Sequence, residues 1–236
     1  MGTPAPRIAL CIMAKAPEPG QVKTRLCPPL SLAEAAELSR CFLLDKIAQV
    51  RQVARAEPSV AYAPEDAAAV FEALAPGFTL LPQRGADLTA RLLSVLGRIF
   101  ADGCGAAIMI DSDTPTLPTG ILERAVTLVA LGEHDLVLGP SADGGYYLIG
   151  LRRLQPELFE GMPWSTPVVL EETERRARAR GLRTVRLPAW YDVDTGADLA
   201  RLTVDLAARP DGAPCHTRRF VLERLAGRTA GAGGRI

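Results

Sequence analysis

Short, continuous apolar runs recur along this chain, most of them divided by longer segments of helical periodicity, and no other feature constrains the fold as much. Strands are expected at 7–13, 58–63, 78–82, 106–111, 135–140, 146–151 and 182–187. The runs do not alternate apolar with polar residues, which is the pattern of strands covered by helices on both faces. Helical patterns occupy 31–53, 64–75, 87–101, 118–131, 166–180 and 196–208. The first opens on Ser31 with Glu34 at its third helical position, a capping box. Caps are also expected at Ser165-Thr166-Pro167, with Pro167 first in its helix, and at Asp194-Thr195-Gly196. This β–α order predicts an α/β fold, a three-layer αβα sandwich around a mostly parallel mixed sheet. With no internal repeat or long linker, residues 1–227 read as a single domain, and the Gly-rich stretch 228–236 as a disordered tail.

The bulk properties exclude several classes. A chain of 236 residues, 48% hydrophobic, can bury a sizeable core. Its 27 basic and 27 acidic side chains cancel, which argues against a nucleic-acid partner, since such binding rests on clustered positive charge. The five cysteines are scattered, with no C-x-x-C pair to suggest zinc or a disulfide framework. No apolar run approaches the ~18 residues of a membrane span, and the N-terminus does not read as a signal peptide. A cytoplasmic protein with no membrane partner is expected; its oligomeric state is left open.

Ligands of open α/β sheets bind beyond the carboxyl ends of the strands, so the loops there carry the chemistry. After the first strand comes "AKAPEPGQVKTRL" (14–26), with Lys15, Lys23 and Arg25 around the flexible Gly20. A Walker loop would need glycine where Pro17 and Val22 stand, so that motif is absent. A basic loop near a helix start can still cradle polyphosphate; the plainer reading is a solvated loop. "IMIDSDTPTLP" (108–118) brings Asp111 and Asp113 to the sheet edge on one side of an extended chain. Such carboxylates suit Mg²⁺, which takes one or two of them together with substrate phosphates, unless they serve as helix caps. "GPSADGGYYLIGL" (139–151) holds Asp143, Gly144 and Gly145, which either approach a ligand closely or simply turn a hairpin. "WYDVDTGADL" (190–199) offers a second pair, Asp192 and Asp194, or one cap and a spare carboxylate. Basic and acidic loops on one edge make sense together if a nucleotide polyphosphate and Mg²⁺ lie between them.

Taken in order, "AKAPEPGQVKTRL", "DSDTPTLP", "GPSADGGYYLIGL", "PWST" and "DVDTGADL" resemble the DUF2064 family over about residues 7–226. That resemblance implies the nucleotide-diphospho-sugar transferase (GT-A) fold and a nucleotide-dependent transferase. The family commonly carries a glycosyltransferase label and is associated with radical-SAM/selenodomain or arsenosugar clusters. The basic loop and the D-x-P-x-L element are also similar to guanylyltransferases that activate 2-phospho-lactate and molybdenum cofactor. By that likeness Lys15, Lys23 and Arg25, beside Ala14 and Gly20, would contact phosphates, with Gln83 and Gly85 near the base. Asp113 and Asp194 would hold Mg²⁺ or Mn²⁺, with Asp111 and Asp192 as further metal candidates. Asp111 stands where those relatives carry glycine, so this D-x-D is not equated with the glycosyltransferase one. Lys23, Arg25 and Asp113 are the expected catalytic residues; Asp143, Gly144, Gly145, Tyr146, Trp164 and Ser165 are expected on the acceptor side. The partners implied are a nucleotide, either an NTP or an NDP-sugar, and a small-molecule acceptor. Nucleotidyl transfer with pyrophosphate release is the first reading, glycosyl transfer the second, and a non-catalytic nucleotide-binding module the third.

Overall fold

The computed structural model describes residues 6–208 and 214–225. Seven strands share one sheet: β1 (Ile8–Lys15), β2 (Glu57–Ala63), β3 (Thr79–Pro82), β4 (Ala106–Ile110), β5 (Leu136–Pro140), β6 (Tyr146–Leu151) and β7 (Thr184–Arg186). Their spatial order is β3-β2-β1-β4-β6-β5-β7. β6 runs antiparallel to β4 and β5, while the other pairings are parallel, so the sheet is mixed and mostly parallel as expected. Each of the seven expected runs corresponds to a strand; β1, β4, β5 and β6 are buried almost throughout, whereas the edge strands β3 and β7 are short and partly exposed.

Two faces need two layers of helices. Leu10 and Ile12 of β1 point to one side, where α1 (Leu32–Gln52), α2 (Ala68–Leu74) and α4 (Thr119–Leu131) pack with Ile47, Phe71 and Val126. Ala9 and Cys11 point to the other, against Leu92, Val95 and Leu96 of α3 (Leu88–Ala101) and Leu170 and Ala177 of α5 (Val169–Ala179). A third cluster lies outside α1, where Leu38 and Phe42 meet α6 (Gly196–Ala208) and α7 (Cys215–Arg218), which runs on as a π-helical stretch, Arg219–Leu225. Helix α1 is therefore buried on two sides. That accounts for the apolar stripe Phe42, Leu43 and Ile47, each 3% exposed or less.

Two local expectations fare differently. The capping box of α1 is formed: Ser31 Oγ accepts from Glu34 N–H, and the Glu34 carboxylate accepts from Ser31 N–H. Helix α5, by contrast, starts at Val169 with Val168 as its cap, so Pro167 lies outside it. The cause is a tertiary contact. The Pro167 backbone presses on Gly144 so closely that a Cβ there would sit 2.1 Å from the Pro167 carbonyl oxygen, and Leu170 N–H donates to Gly144 O. The Gly-rich stretch 228–236 falls outside the described residues. Among the described residues no helix is long and apolar enough to cross a membrane.

Because the box satisfies two N–H groups that the helix cannot, Ser31→Ala should lower stability by about 1 kcal/mol. The urea midpoint should fall with an unchanged denaturant slope. An unchanged midpoint would mean that α1 is held by its two packed sides alone.

Candidate active site

Six strands direct their carboxyl ends to one edge, and the loops that follow β1, β3, β4, β5 and β7 form one cleft there. Two adjoining cavities divide it, with Met13, Leu88 and Asp111 in the walls of both. The larger, about 490 Å³, is lined by Ala14, Lys15, Lys23, Arg25, Gln83, Asp113 and Asp194, among others. The smaller, about 300 Å³, is lined by Asp143, Gly145, Tyr146, Trp164, Ser165 and Asp192, again among others. The residues singled out for nucleotide and acceptor thus separate into the two halves. Gly20, Gly85 and Gly144 line neither.

Lys23 ties the larger half together. It sits in left-handed backbone (φ 49°, ψ 32°), a conformation that costs a non-glycine residue roughly 1–2 kcal/mol, and caps the 3₁₀ turn Thr24–Leu26. The kink aims its side chain inward, where it is 5% exposed and lies 5.8 Å from the centre of the Phe42 ring. Its ammonium meets Asp113 at 3.0 Å and Asp194 at 2.7 Å. Burial would lower the lysine pKa, yet the two carboxylates outweigh it and the net direction is up. Three loops distant in sequence are thereby pinned at one point.

The two carboxylates are themselves held. Val193 N–H donates to Asp113 O, joining the loop after β4 to that after β7. Asp198, at the third position of α6, accepts from Asp194 N–H, Thr195 N–H and Thr195 Oγ1, so the second loop ends in a capping arrangement around Thr195. Arg25 is exposed at the rim, where its charge helps to lower the Asp198 pKa. Asp113 and Asp194 suit one divalent cation: both are 36% exposed, converge on a single cationic point and face the cavity that carries Lys15 and Arg25. Among the described residues no three His, Cys, Asp or Glu side chains gather as a metal cluster, so such an ion would need substrate oxygens or water as well.

Asp111 and Asp192 are engaged differently from their neighbours two residues on. Asp111 Oδ1 accepts from Thr114 Oγ1 at 2.7 Å and from Asp113 N–H at 3.2 Å, folding the loop on itself. Asp192 accepts from Ser141 Oγ at 2.8 Å and belongs to the smaller half. Burial, the largest influence, raises its pKa, and Asp143 and Asp194 add to the rise. Each pair was expected on one side of its loop, but these hydrogen bonds, one set within the loop and one to Ser141 in the β5–β6 hairpin, assign the two members of each to different tasks.

The glycines and Gln83 have structural work. Gln83 is buried and its Nε2 donates to Ala14 O and Ala61 O, fixing the end of β1 against the loop after β3. Gly85 (φ 135°) lies under the first turn of α3, where a Cβ would come within 2.4 Å of that of Ala90. The loop 141–145 is the tight β5–β6 hairpin, with Gly145 N–H donating to Asp143 Oδ1. Gly144 faces Pro167 rather than a ligand cavity. Trp164 returns to the edge after β6, donates Nε1–H to Thr89 Oγ1 and meets Tyr146 edge-on at 6.4 Å.

Sequence reasoning missed Lys46, in the middle of α1 and 1% exposed. It donates to Thr114 O and Thr114 Oγ1, both at 3.0 Å, from beneath the Asp111–Asp113 loop. Burial pushes its pKa down to about 8, with Asp111, Asp113 and Asp45 opposing. A lysine in register with Phe42, Leu43, Ile47 and Val50 was the available signal, since that stripe is otherwise apolar. Burial likewise drives the Asp111 carboxyl up to about 7 despite Lys46.

That shift has a measurable sign. Between pH of about 4 and about 7 the unfolded chain has released the Asp111 proton while the folded chain keeps it, so stability falls as pH rises through this window. Asp111→Asn retains an oxygen acceptor for Thr114 and should flatten this slope in chelator-treated protein. Denaturation curves across the window check it; an unaltered slope would show that Asp111 is ionised throughout.

Comparisons with known proteins bear on the family and the fold. Residues 46–166 match the family model described as "Uncharacterized protein conserved in bacteria (DUF2064)". A crystal structure from Desulfovibrio desulfuricans G20, assigned as a nucleotide-diphospho-sugar transferase, is 31% identical, with 93% of this chain and 95% of that one covered and a TM-score of 0.83. The CTP complex of CMP:2-keto-3-deoxy-manno-octonic acid synthetase is 16% identical, covering 86% and 99% at a TM-score of 0.56. Glucosyl-3-phosphoglycerate synthase of Mycobacterium tuberculosis, with Mn²⁺, UDP and product, is 12% identical, covering 89% and 82% at 0.52. These last two share the fold, which is that of nucleotide-dependent transferases. No curated protein matches the chain. With half of its length matched by the family model and a 31% identical relative along nearly all of it, this chain belongs to the DUF2064 family.

Proposed function

We propose that the protein is a metal-assisted, nucleotide-dependent transferase, and that its first activity is nucleotidyl transfer from an NTP to a small acceptor with release of pyrophosphate. One observation carries the reading: Asp113 and Asp194 converge on a single cationic point, 3.0 and 2.7 Å from Lys23 Nζ, beside a cavity bearing Lys15 and Arg25. Asp113 and Asp194 would hold Mg²⁺ or Mn²⁺, which when bound would offset charge on the phosphate oxygens. Lys23, held between these carboxylates and lining the same cavity, would add its positive charge on the side of the phosphates. Lys15 and Arg25, in the same cavity, neutralise charge that grows on the departing pyrophosphate. Gln83 keeps the basic loop and the floor of the cavity in register through its two backbone contacts. The CTP-bound synthetase of the same fold supports a nucleoside triphosphate as donor.

Glycosyl transfer from an NDP-sugar is the second reading. It is favoured by the carboxylates of the adjoining cavity, Asp143 and Asp192, either of which can accept a proton from an acceptor hydroxyl. The UDP- and Mn²⁺-bound synthase of the same fold supports that donor. Turnover separates the two. Pyrophosphate released from an NTP supports the first; silence with every NTP, together with NDP release from an NDP-sugar, replaces it with the second.

Asp113 provides the sharper test. Its carboxylate caps no helix, since α4 begins at Thr119 behind Pro118. Asp113→Asn should therefore lower metal-dependent turnover about 100-fold or more with little change in melting temperature. A destabilised variant that keeps its activity would make Asp113 a structural residue. Arg25→Lys should lower kcat/KM about tenfold, because a point charge replaces a fork able to grip two phosphate oxygens. Wild-type kinetics from that variant would remove Arg25 from the site.

A further inference from the structure

The smaller cavity differs in kind from its neighbour. Its wall is made mostly of Trp164, Tyr146, Leu88, Leu92, Ile149 and Val169, with carboxyl groups of Asp111, Asp143 and Asp192 as its charged members. Among the described residues no lysine or arginine lines it. Lys23, a cation of the adjoining half, is already engaged by Asp113 and Asp194. Ser141 donates its hydroxyl to Asp192, Gly145 N–H is spent on Asp143, Thr166 donates to Pro163 O and Tyr147 to Pro188 O, which leaves the Ser165 hydroxyl as a neutral donor in the wall. An anionic group entering here would leave water for a wall with no positive side chain, facing carboxyl groups and aromatic rings with only neutral hydroxyls to offset the loss. A hydroxyl or ammonium group would find acceptors, and an apolar body would find a wall to cover it.

From this arrangement we infer that the second substrate is a small hydroxyl-bearing molecule with an aromatic or aliphatic body and no anionic group, so that a phosphorylated or carboxylated acceptor is disfavoured. The inference rests on the transferase reading for the word substrate, but the charge preference belongs to the cavity itself. It narrows both readings above to transfer onto a hydroxyl. At about 300 Å³ the cavity has room for a single-ring compound of this kind.

Three phenols with one body and three charges test it: tyrosol (neutral), tyramine (cationic) and 4-hydroxyphenylacetate (anionic). Binding is read from Trp164 emission, with Trp164→Phe identifying the part of the signal that comes from this cavity rather than from Trp190, the other tryptophan. Tyrosol and tyramine should bind, with 4-hydroxyphenylacetate weaker by about tenfold or more. Asp192→Asn, which can still accept from Ser141, should narrow that gap. Should Trp164→Phe not fold, the wild-type thermal shift with the three probes decides their ranking without it. The proposal is overturned if the anion binds as tightly as tyrosol, if none of the three binds, or if a free hexose binds while tyrosol does not. Nucleotide binding is scored separately, by thermal shift with NTPs and NDP-sugars in Mg²⁺. No shift from any nucleotide sinks the transferase reading, whereas the phenols alone decide the preference of the cavity.

Discussion

A buried ammonium held by two carboxylates is the interaction on which this site depends. Lys23 reaches Asp113 and Asp194 across 90 and 171 positions of sequence, and each of the three arrives on a different loop. Alone, the lysine would be costly at this depth, since an unpaired charge cannot leave water cheaply. Paired, it makes the left-handed kink of its own backbone worth holding, because that kink is what turns the side chain inward. The carboxylates remain a third exposed, so solvent screens part of the attraction and the contact is better seen as a geometric clamp than as a large reserve of stability.

Supporting residues surround the clamp without entering the chemistry. Lys46 props the loop after β4 through Thr114, and Asp198 gathers the N–H groups of the loop after β7. The Asp113–Val193 backbone contact joins those two loops directly. Removing a prop would leave a buried donor or acceptor unpaired, which costs more than the bond itself contributes. In the proposed transfer the carboxylates would need to be held in this way, because misplacement by an ångström weakens every interaction with a reacting phosphate.

Strand topology gives the cleft its two natures. With β6 inserted antiparallel between β4 and β5, the β5–β6 hairpin comes to the same edge as the ends of β1 and β4. The hairpin brings Asp143 and Tyr146, and the chain leaving β6 returns along α3 to deliver Trp164. An aromatic, acidic chamber is thus set beside one of mixed charge that carries Lys15, Lys23 and Arg25, with Met13, Leu88 and Asp111 between them. The pairing suits a reaction between a charged donor and an uncharged partner.

Layer architecture, strand positions and the edge at which the loops gather were legible in the sequence, because each is a local matter of apolar run length and helical period. The Ser31–Glu34 box was equally local and equally readable. The choice among Asp111, Asp113, Asp192 and Asp194 was not. Alternation along an extended chain treats each pair as equivalent, whereas Thr114 and Ser141 claim one member of each pair, and Lys23 binds the other. Gly144 looked like a ligand-facing glycine until Pro167 was found against it. Lys46 stood in an apolar stripe with nothing nearby in sequence to say which oxygens it would meet. Sequence alone determined the αβα sheet and the edge at which the loops of the candidate site gather. Tertiary structure alone decided which charge meets which, because hydrogen bonds and ion pairs reach only a few ångströms and their partners here lie dozens of residues apart.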